Sequence, residues 1–193
     1  MSQRHVAADE DDRVLDAARA CALAVGFRRT TVTDVARRAG VSRMTLYRRF
    51  PDLEGVFSAL MTREFGRLVA EAAERGAGAT TRARAVATVV HGARTLAGDP
   101  LFERLLDVDP ELLLPYVTLR LGGMQRLAVT GMAETLAAGA GDGSVRTDVA
   151  PAVLAAGVEL IARGFVLSAR GQQASGMDRW AELGRAVDGY LRP

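Results

Sequence analysis

Arg37, Arg38, Arg43, Arg48 and Arg49 crowd residues 32–50, VTDVARRAGVSRMTLYRRF, where Asp34 is the one acid. A guanidinium is always cationic, and its planar fork of donors fits a phosphate or the edge of a guanine. Thr31, Thr33, Thr45 and Tyr47 stand among these arginines, and their hydroxyls are donors suited to phosphate oxygens. The chemistry open to such a set is the holding of a polyanion rather than the making of bonds. Sets that make bonds are missing. The sequence offers no nucleophile beside a base and no pair of carboxylates on one helix face, and GAGDGS (139–144) lacks the lysine and the strand of a phosphate loop. Cys21 is the single cysteine, at core spacing in DAARACALAV, and His5 and His91 are the only histidines. One thiol forms no internal disulfide, and three scattered ligands make no structural zinc site. Catalytic residues, a metal and a cofactor are therefore not expected.

Charge is unevenly spread. Residues 1–12 carry Arg4 against four acids, net −3, while residues 13–50 carry nine arginines against Asp16 and Asp34, net +7. Residues 51–193 come to −2, and there is no lysine in the chain. A basic block beside a near-neutral body points to a dedicated polyanion-binding segment. Apolar residues make up 49% and charged residues 25%, the make-up of a globular protein with a sizeable core. No apolar run reaches the roughly 18 residues of a membrane span. The polar start MSQRHVAADEDD is not a secretory signal. The expected location is the cytoplasm.

The arginines must be held by helices, because apolar residues recur at three- and four-residue spacing almost throughout. Val14, Leu15, Ala18, Cys21, Ala22 and Val25 make one stripe, ended by Gly26. Thr31 with Asp34 three residues on reads as a capping box opening a short helix, which Gly40 stops in a left-handed conformation. Ser42 caps the next helix, which runs to Phe50 before Pro51. Asp52 caps a long fourth helix to about Arg75, and GAGAT (76–80) then loosens the chain. Further helices are expected over Arg82–Ala97, from the Asp-Pro pairs at 99–100 and 109–110, and through Pro115 to about Ala138. The last two run over Val149–Arg170 and Asp178–Leu191.

On the helix after Ser42, a turn of about 100° per residue puts Leu46 and Phe50 on one face, towards Val35, Ala36 and the first helix. Met44, Thr45, Tyr47 and Arg48 then point outward. Arg43 lies nearer the inward side, and Arg49 is either a phosphate contact or an internal ion-pair partner. Two short helices at a tight turn, the second showing its polar face, form the arrangement that enters a DNA major groove. A merely solvated face would leave the missing acids, the capped hinge and the spacing unexplained together.

TTVTDVARRAGVSRMTLYRRFPDLEGVFSAL resembles the DNA-binding signature of the TetR family of bacterial transcriptional regulators. The matching features are the threonine-capped second helix, A-x-x-A-G-V-S, T-L-Y-x-x-F and the hydrophobic fourth helix, over roughly residues 10–60. GSVRTDVAPAVLA (143–155) is similar to the family's approach to its penultimate helix. One departure is Asp52-Leu53 where the family often has Ser-Lys, so a phosphate-facing lysine is missing. The resemblance implies an all-α fold, with an N-terminal three-helix helix-turn-helix DNA-binding domain and a larger helical effector-binding and dimerisation domain. Residues 1–12 are expected as a flexible tail. Residues 13–56 form the helix-turn-helix domain, continuing into a linking helix to about 75, and 77–193 form the C-terminal domain. By the same resemblance, Arg43 and its exposed neighbours Met44 and Arg48 touch base edges. Thr31, Thr33, Thr45 and Tyr47 hold the backbone.

Such a reading head covers about one half-site, so a homodimer on a palindromic double-stranded DNA operator is expected. Leu154, Val158, Ile161 and Phe165 form a stripe on a helix apolar round most of its circumference, and Trp180 and Val187 lie on the seam of the final helix. Two such helices per subunit would build a four-helix interface. Between residues 80 and 138 the resemblance implies a pocket for a small lipophilic effector. Its lining candidates are His91, Phe102, Tyr116, Arg120 and Met124, each of which also fits ordinary packing or exposure. The expected function is a one-component regulator, a repressor released by its effector, with no membrane partner. The alternatives are a ligand-independent dimeric DNA-binding protein and, with no catalytic set behind it, a small all-α enzyme.

Overall fold

The computed structural model describes residues 3–168 and 176–193, and every regular element among them is helical. The helices are α1 (Gln3–Val25), α2 (Val32–Ala39), α3 (Arg43–Arg49), α4 (Leu53–Arg75), α5 (Thr81–Ala97), α6 (Pro100–Val108), α7 (Leu114–Thr118), α8 (Gly123–Ala138), α9 (Pro151–Leu167) and α10 (Arg179–Leu191). Short 3-10 turns at Pro110–Leu113 and Gly139–Gly141 precede α7 and follow α8. Arg170, the expected end of α9, and most of GQQASG lie outside the described residues. Among those residues no helix is long and apolar enough to cross a membrane.

The chain divides into two compact units, Met1–Glu64 with Asp99–Gly123 and Phe65–Gly98 with Met124–Pro193. Residues 99–123 thus fold with the N-terminal helices, not within a single body over 77–193. The helix expected from Pro115 to Ala138 is also divided. It breaks between α7 and α8, where Gly123 sits so close to Thr62 that a Cβ there would fall 2.2 Å from the Thr62 hydroxyl oxygen.

In the C-terminal unit, α5, α9 and α10 pack on one another around Ala85, Ala93, Leu154, Ala155, Val158, Leu183, Val187 and Leu191. A Cβ on Gly157 would lie 2.2 Å from the Tyr190 hydroxyl, so the glycine is what lets α10 approach α9. Glu159 and Arg163 pair at 3.5 Å on α9, and buried Gln125 donates to Glu159 at 3.1 Å. Asp142 ties the loop after α8 to the start of α5. It accepts from the Ser144 hydroxyl at 2.5 Å, the Thr81 amide at 2.7 Å and the Ser144 amide at 3.0 Å. Those donors, the Ser144 hydroxyl foremost, hold its carboxyl far below the usual carboxylate range.

The N-terminal unit closes over Val14, Leu15, Ala18, Cys21 and Ala22 of α1, Phe27 of the turn that follows, Val35 and Ala36 of α2, Leu46 of α3, Val56 and Leu60 of α4, and Leu101 and Leu105 of α6. Burial pushes the Cys21 thiol pKa up, as suits a core residue. Residues 1–12, expected as a tail, continue α1 as helix from Gln3. The reason is ionic. Glu10 and Asp11 meet Arg49, and Asp12 and Asp16 meet Arg63, so the acidic run is matched by arginines across the fold.

The turn between α1 and α2 depends on residues far away in sequence. Asp109 was expected to cap a helix at Pro110 and makes no such bond. Its buried carboxylate instead accepts from the Phe27 amide at 2.6 Å. Gly26 has φ 91°, and a Cβ there would fall 2.8 Å from Val108 and 3.0 Å from the Asp109 carboxylate, so both the conformation and the approach require glycine. Thr30 donates its hydroxyl to the Gly26 carbonyl at 2.7 Å, and Arg28 pairs with Glu111. Replacing Asp109 by Ala strands the Phe27 amide in the core and should cost about 1–3 kcal/mol of stability. Asp109→Asn keeps an acceptor oxygen and should recover more than half of that loss. Thermal or urea unfolding of the two variants checks the order; equal losses would mean that the amide bond is not what Asp109 contributes.

Candidate nucleic-acid interface

Two capped helices and a three-residue turn place the arginines. Thr31 accepts from the Asp34 amide at 3.2 Å and donates its hydroxyl to the Asp34 carboxylate at 2.5 Å, the expected capping box. Gly40 stops α2 at φ 68°, and the Val41 amide reaches back to the Ala36 carbonyl at 3.0 Å, the six-residue closure of a Schellman end. Ser42 then caps α3 by accepting from the Thr45 amide at 3.0 Å. Leu46 is fully buried, with Val41 and Phe50 packed beside it on the same core. That inward face decides the outward one.

Arg43, Met44, Tyr47 and Arg48 are exposed, Met44 by 78%. A bare methionine on a polar helix has no packing reason to be there. Among the described residues no acid pairs with Arg43, Arg48 or Arg38, whereas Arg37 pairs with Asp34 at 2.9 Å. Arg43, left between faces by the helical wheel, points out. Thr31 and Thr33 are exposed at the start of α2. Thr45 is only half-exposed, its hydroxyl 3.0 Å from that of Ser42 and thus partly engaged in the cap. Of the two roles open to Arg49, the geometry takes the internal one: its Nη1 donates to Asp11 at 2.5 Å and its Nη2 to Glu10 at 2.6 Å.

The residues expected to form the dimer face divide by depth. Leu154, Val158 and Val187 are buried inside the C-terminal unit, and Ile161, Phe165 and Trp180 are half-buried. The face that α9 leaves open lies one step round the helix, with Val153 and Leu160 each 58% exposed and Ala156 and Gly164 between and beyond them. An apolar helix shows two such stripes alike on a wheel, and only the packing of α5 and α10 chooses which is covered. The effector candidates fall in both units. Phe102 is buried in the N-terminal one, where Arg120 lies 5.4 Å over the Tyr116 ring and pairs with Glu54 at 3.3 Å. His91, 3.4 Å from Arg75, and half-buried Met124 belong to the C-terminal one. Sequence reasoning missed Glu10, Asp11 and Asp109. The charge count held a signal for the first two, since an acidic stretch beside a basic one is what an ion-paired seam looks like in sequence.

Comparison with known proteins agrees with this reading head. The family described as bacterial regulatory proteins, tetR family, matches residues 14–60. An HTH-type transcriptional regulator of Mycobacterium tuberculosis is 36% identical over 194 residues, spanning 99% of both chains. Among solved structures, the Rhodococcus erythropolis transcriptional repressor QsdR, from the TetR family, superposes with a TM-score of 0.73 at 17% identity, over 94% of each chain. The complex of SmeT with triclosan gives a TM-score of 0.60 at 21% identity, over 94% of this chain and 90% of that one. With a relative of that identity along its whole length and the family match on α1 to α4, this chain belongs to the tetR family of bacterial regulatory proteins, a transcriptional regulator with a helix-turn-helix DNA-binding domain.

Proposed function

We propose that the chain is a cytoplasmic one-component repressor, which binds a palindromic double-stranded DNA operator as a homodimer and leaves it on binding a small lipophilic effector. The observation that carries the DNA reading is the outward face of α3, where among the described residues no acid pairs with Arg43 or Arg48 and Met44 and Tyr47 are laid bare between them. In this reading Arg43, Met44 and Arg48 meet base edges in the major groove. Tyr47, Thr45, Thr31 and Thr33 hold phosphates, and the positive N-terminal ends of α2 and α3 add to that hold. The second copy covers α9 along Val153, Ala156, Leu160 and Gly164, flanked by the half-buried Ile161, Phe165 and Trp180. Small residues alternating with large ones let two such helices approach closely. The effector sits in the C-terminal unit against His91 and Met124, and acts by binding more tightly to the form whose two reading heads no longer fit successive grooves. Ligand binding by SmeT, a fold relative, supports this part.

The test is selection of bound fragments from a randomised duplex pool, followed by affinity against salt for the winner. A two-fold symmetric motif with a steep salt dependence is expected; weak, sequence-blind binding would overturn the reading. Tyr47→Phe should weaken binding to the selected duplex and to a shuffled one alike, by roughly three- to tenfold. Arg48→Ala or Met44→Ala should instead change the motif that is selected, a good base contact being worth about 1–3 kcal/mol of discrimination. An unchanged motif would remove these two from the base-reading set. Leu160→Glu should yield monomers by light scattering with operator binding lost, and an intact dimer would place the subunit contact elsewhere.

A further inference from the structure

Helix α3 has seven residues and one fully buried side chain, Leu46. Val41 and Phe50 flank Leu46 on the same core, but apolar contact is not directional, so it sets the roll of a two-turn helix only loosely. Arg49 supplies a second anchor one turn further on. Its two terminal nitrogens are taken by two carboxylates of α1, Asp11 at 2.5 Å and Glu10 at 2.6 Å, and its side chain is only 17% exposed. Charge-assisted bonds to a planar fork fix direction as well as distance. The anchor is itself backed. Asp12, Asp16 and Arg19 follow one another down a face of α1 and meet Arg63 at 3.2 Å, Arg63 at 2.7 Å and Glu64 at 3.3 Å on α4. Arg48, the residue just before Arg49, has no such acids among the described residues and faces outward.

We infer that Arg49 is a positioning residue, which sets the roll of α3 through Glu10 and Asp11 and so governs how sharply the chain distinguishes its operator from other DNA. The inference rests on α3 being the reading helix. A phosphate brought to Arg49 would have to displace two carboxylates or sit against their like charge, which argues against direct contact. Roll matters more to base edges than to phosphates, since the contacts from α2 stay in place and a phosphate tolerates a displacement that bidentate base pairing does not. Rotating a short helix by some tens of degrees moves the tips of Arg43, Met44 and Arg48 by ångströms, enough to break bidentate geometry. The positive field that attracts any duplex is left as it was.

The experiment compares two probes on the full chain: the duplex recovered from the randomised pool and a shuffled duplex of the same composition. The variants are Arg49→Met, the double change Glu10→Gln with Asp11→Asn, and all three together, each checked by thermal unfolding so that affinity is read on folded protein. The ratio of the two affinities should fall roughly fivefold or more for Arg49→Met and for the acid pair, and no further for the triple variant, as partners in one network behave. Arg49→Lys should restore part of the ratio. The salt slope on the shuffled duplex should stay unchanged in Arg49→Met. A phosphate contact predicts otherwise: the slope drops by roughly one on both duplexes, and neutralising the acids strengthens binding to both. That result overturns the inference, as does an unchanged ratio in a wild type that discriminates. If the wild type does not discriminate, the DNA-reading assignment falls and takes the inference with it. Should Arg49→Met not fold, Glu10→Gln alone, which keeps the Asp11 bond, gives the same test with a smaller change in ratio.

Discussion

Only Gly40, Val41 and Ser42 separate α2 from α3, and that brevity is the constraint from which the reading head follows. Each of the three has a fixed task. Gly40 takes the left-handed conformation, Val41 closes the end of α2 and enters the core, and Ser42 caps the next helix. No residue is left over to absorb a different geometry. Once Leu46 is buried, the pitch of the helix leaves Arg43, Met44, Tyr47 and Arg48 no other direction than outward. The exposure of a large apolar side chain and of the neighbouring arginines is thus enforced by the turn rather than by anything those side chains gain in the folded chain.

The two ends of this unit are secured by different forces. At the α1–α2 turn the fastening is a buried neutral donor on a buried carboxylate, Phe27 on Asp109, where water is excluded and an unmade bond is expensive. At the start of α1 it is a row of arginine–carboxylate pairs, the arginines mostly covered and the acids more open to water and so to screening by salt. The first kind holds shape under most conditions. The second responds to ionic strength, which is also the variable that governs attraction to any polyanion.

Much of this was legible in the sequence. Caps announce themselves because Thr31, Asp34, Ser42 and Gly40 act within four residues of where they stand, and the inward face of α3 follows from one periodicity. What could not be read involves partners far apart. Asp109 before a proline has the local look of an N-cap, and only its meeting with Phe27, 82 residues away, gives it a different acceptor role. Glu10 and Asp11 look like solvated tail residues until Arg49 is seen beside them. On α9, Leu154 and Val153 are equally apolar neighbours, and nothing local says that one is 1% and the other 58% exposed. Local rules settle the elements; pairings across the fold settle which of their faces remain.

The N-terminal unit is not a continuous piece of chain, since Leu101, Leu105 and Asp109 complete a core begun at Val14. During synthesis from the N-terminus, α1 to α4 therefore emerge with part of their apolar surface still uncovered. They must wait for α6 before that core can close. The head that lends itself to being drawn as a separable module is in this respect a late assembly, its maturation tied to translation well past residue 64. A ribosome-bound intermediate of that length would be a natural client for chaperones that hold exposed apolar helices.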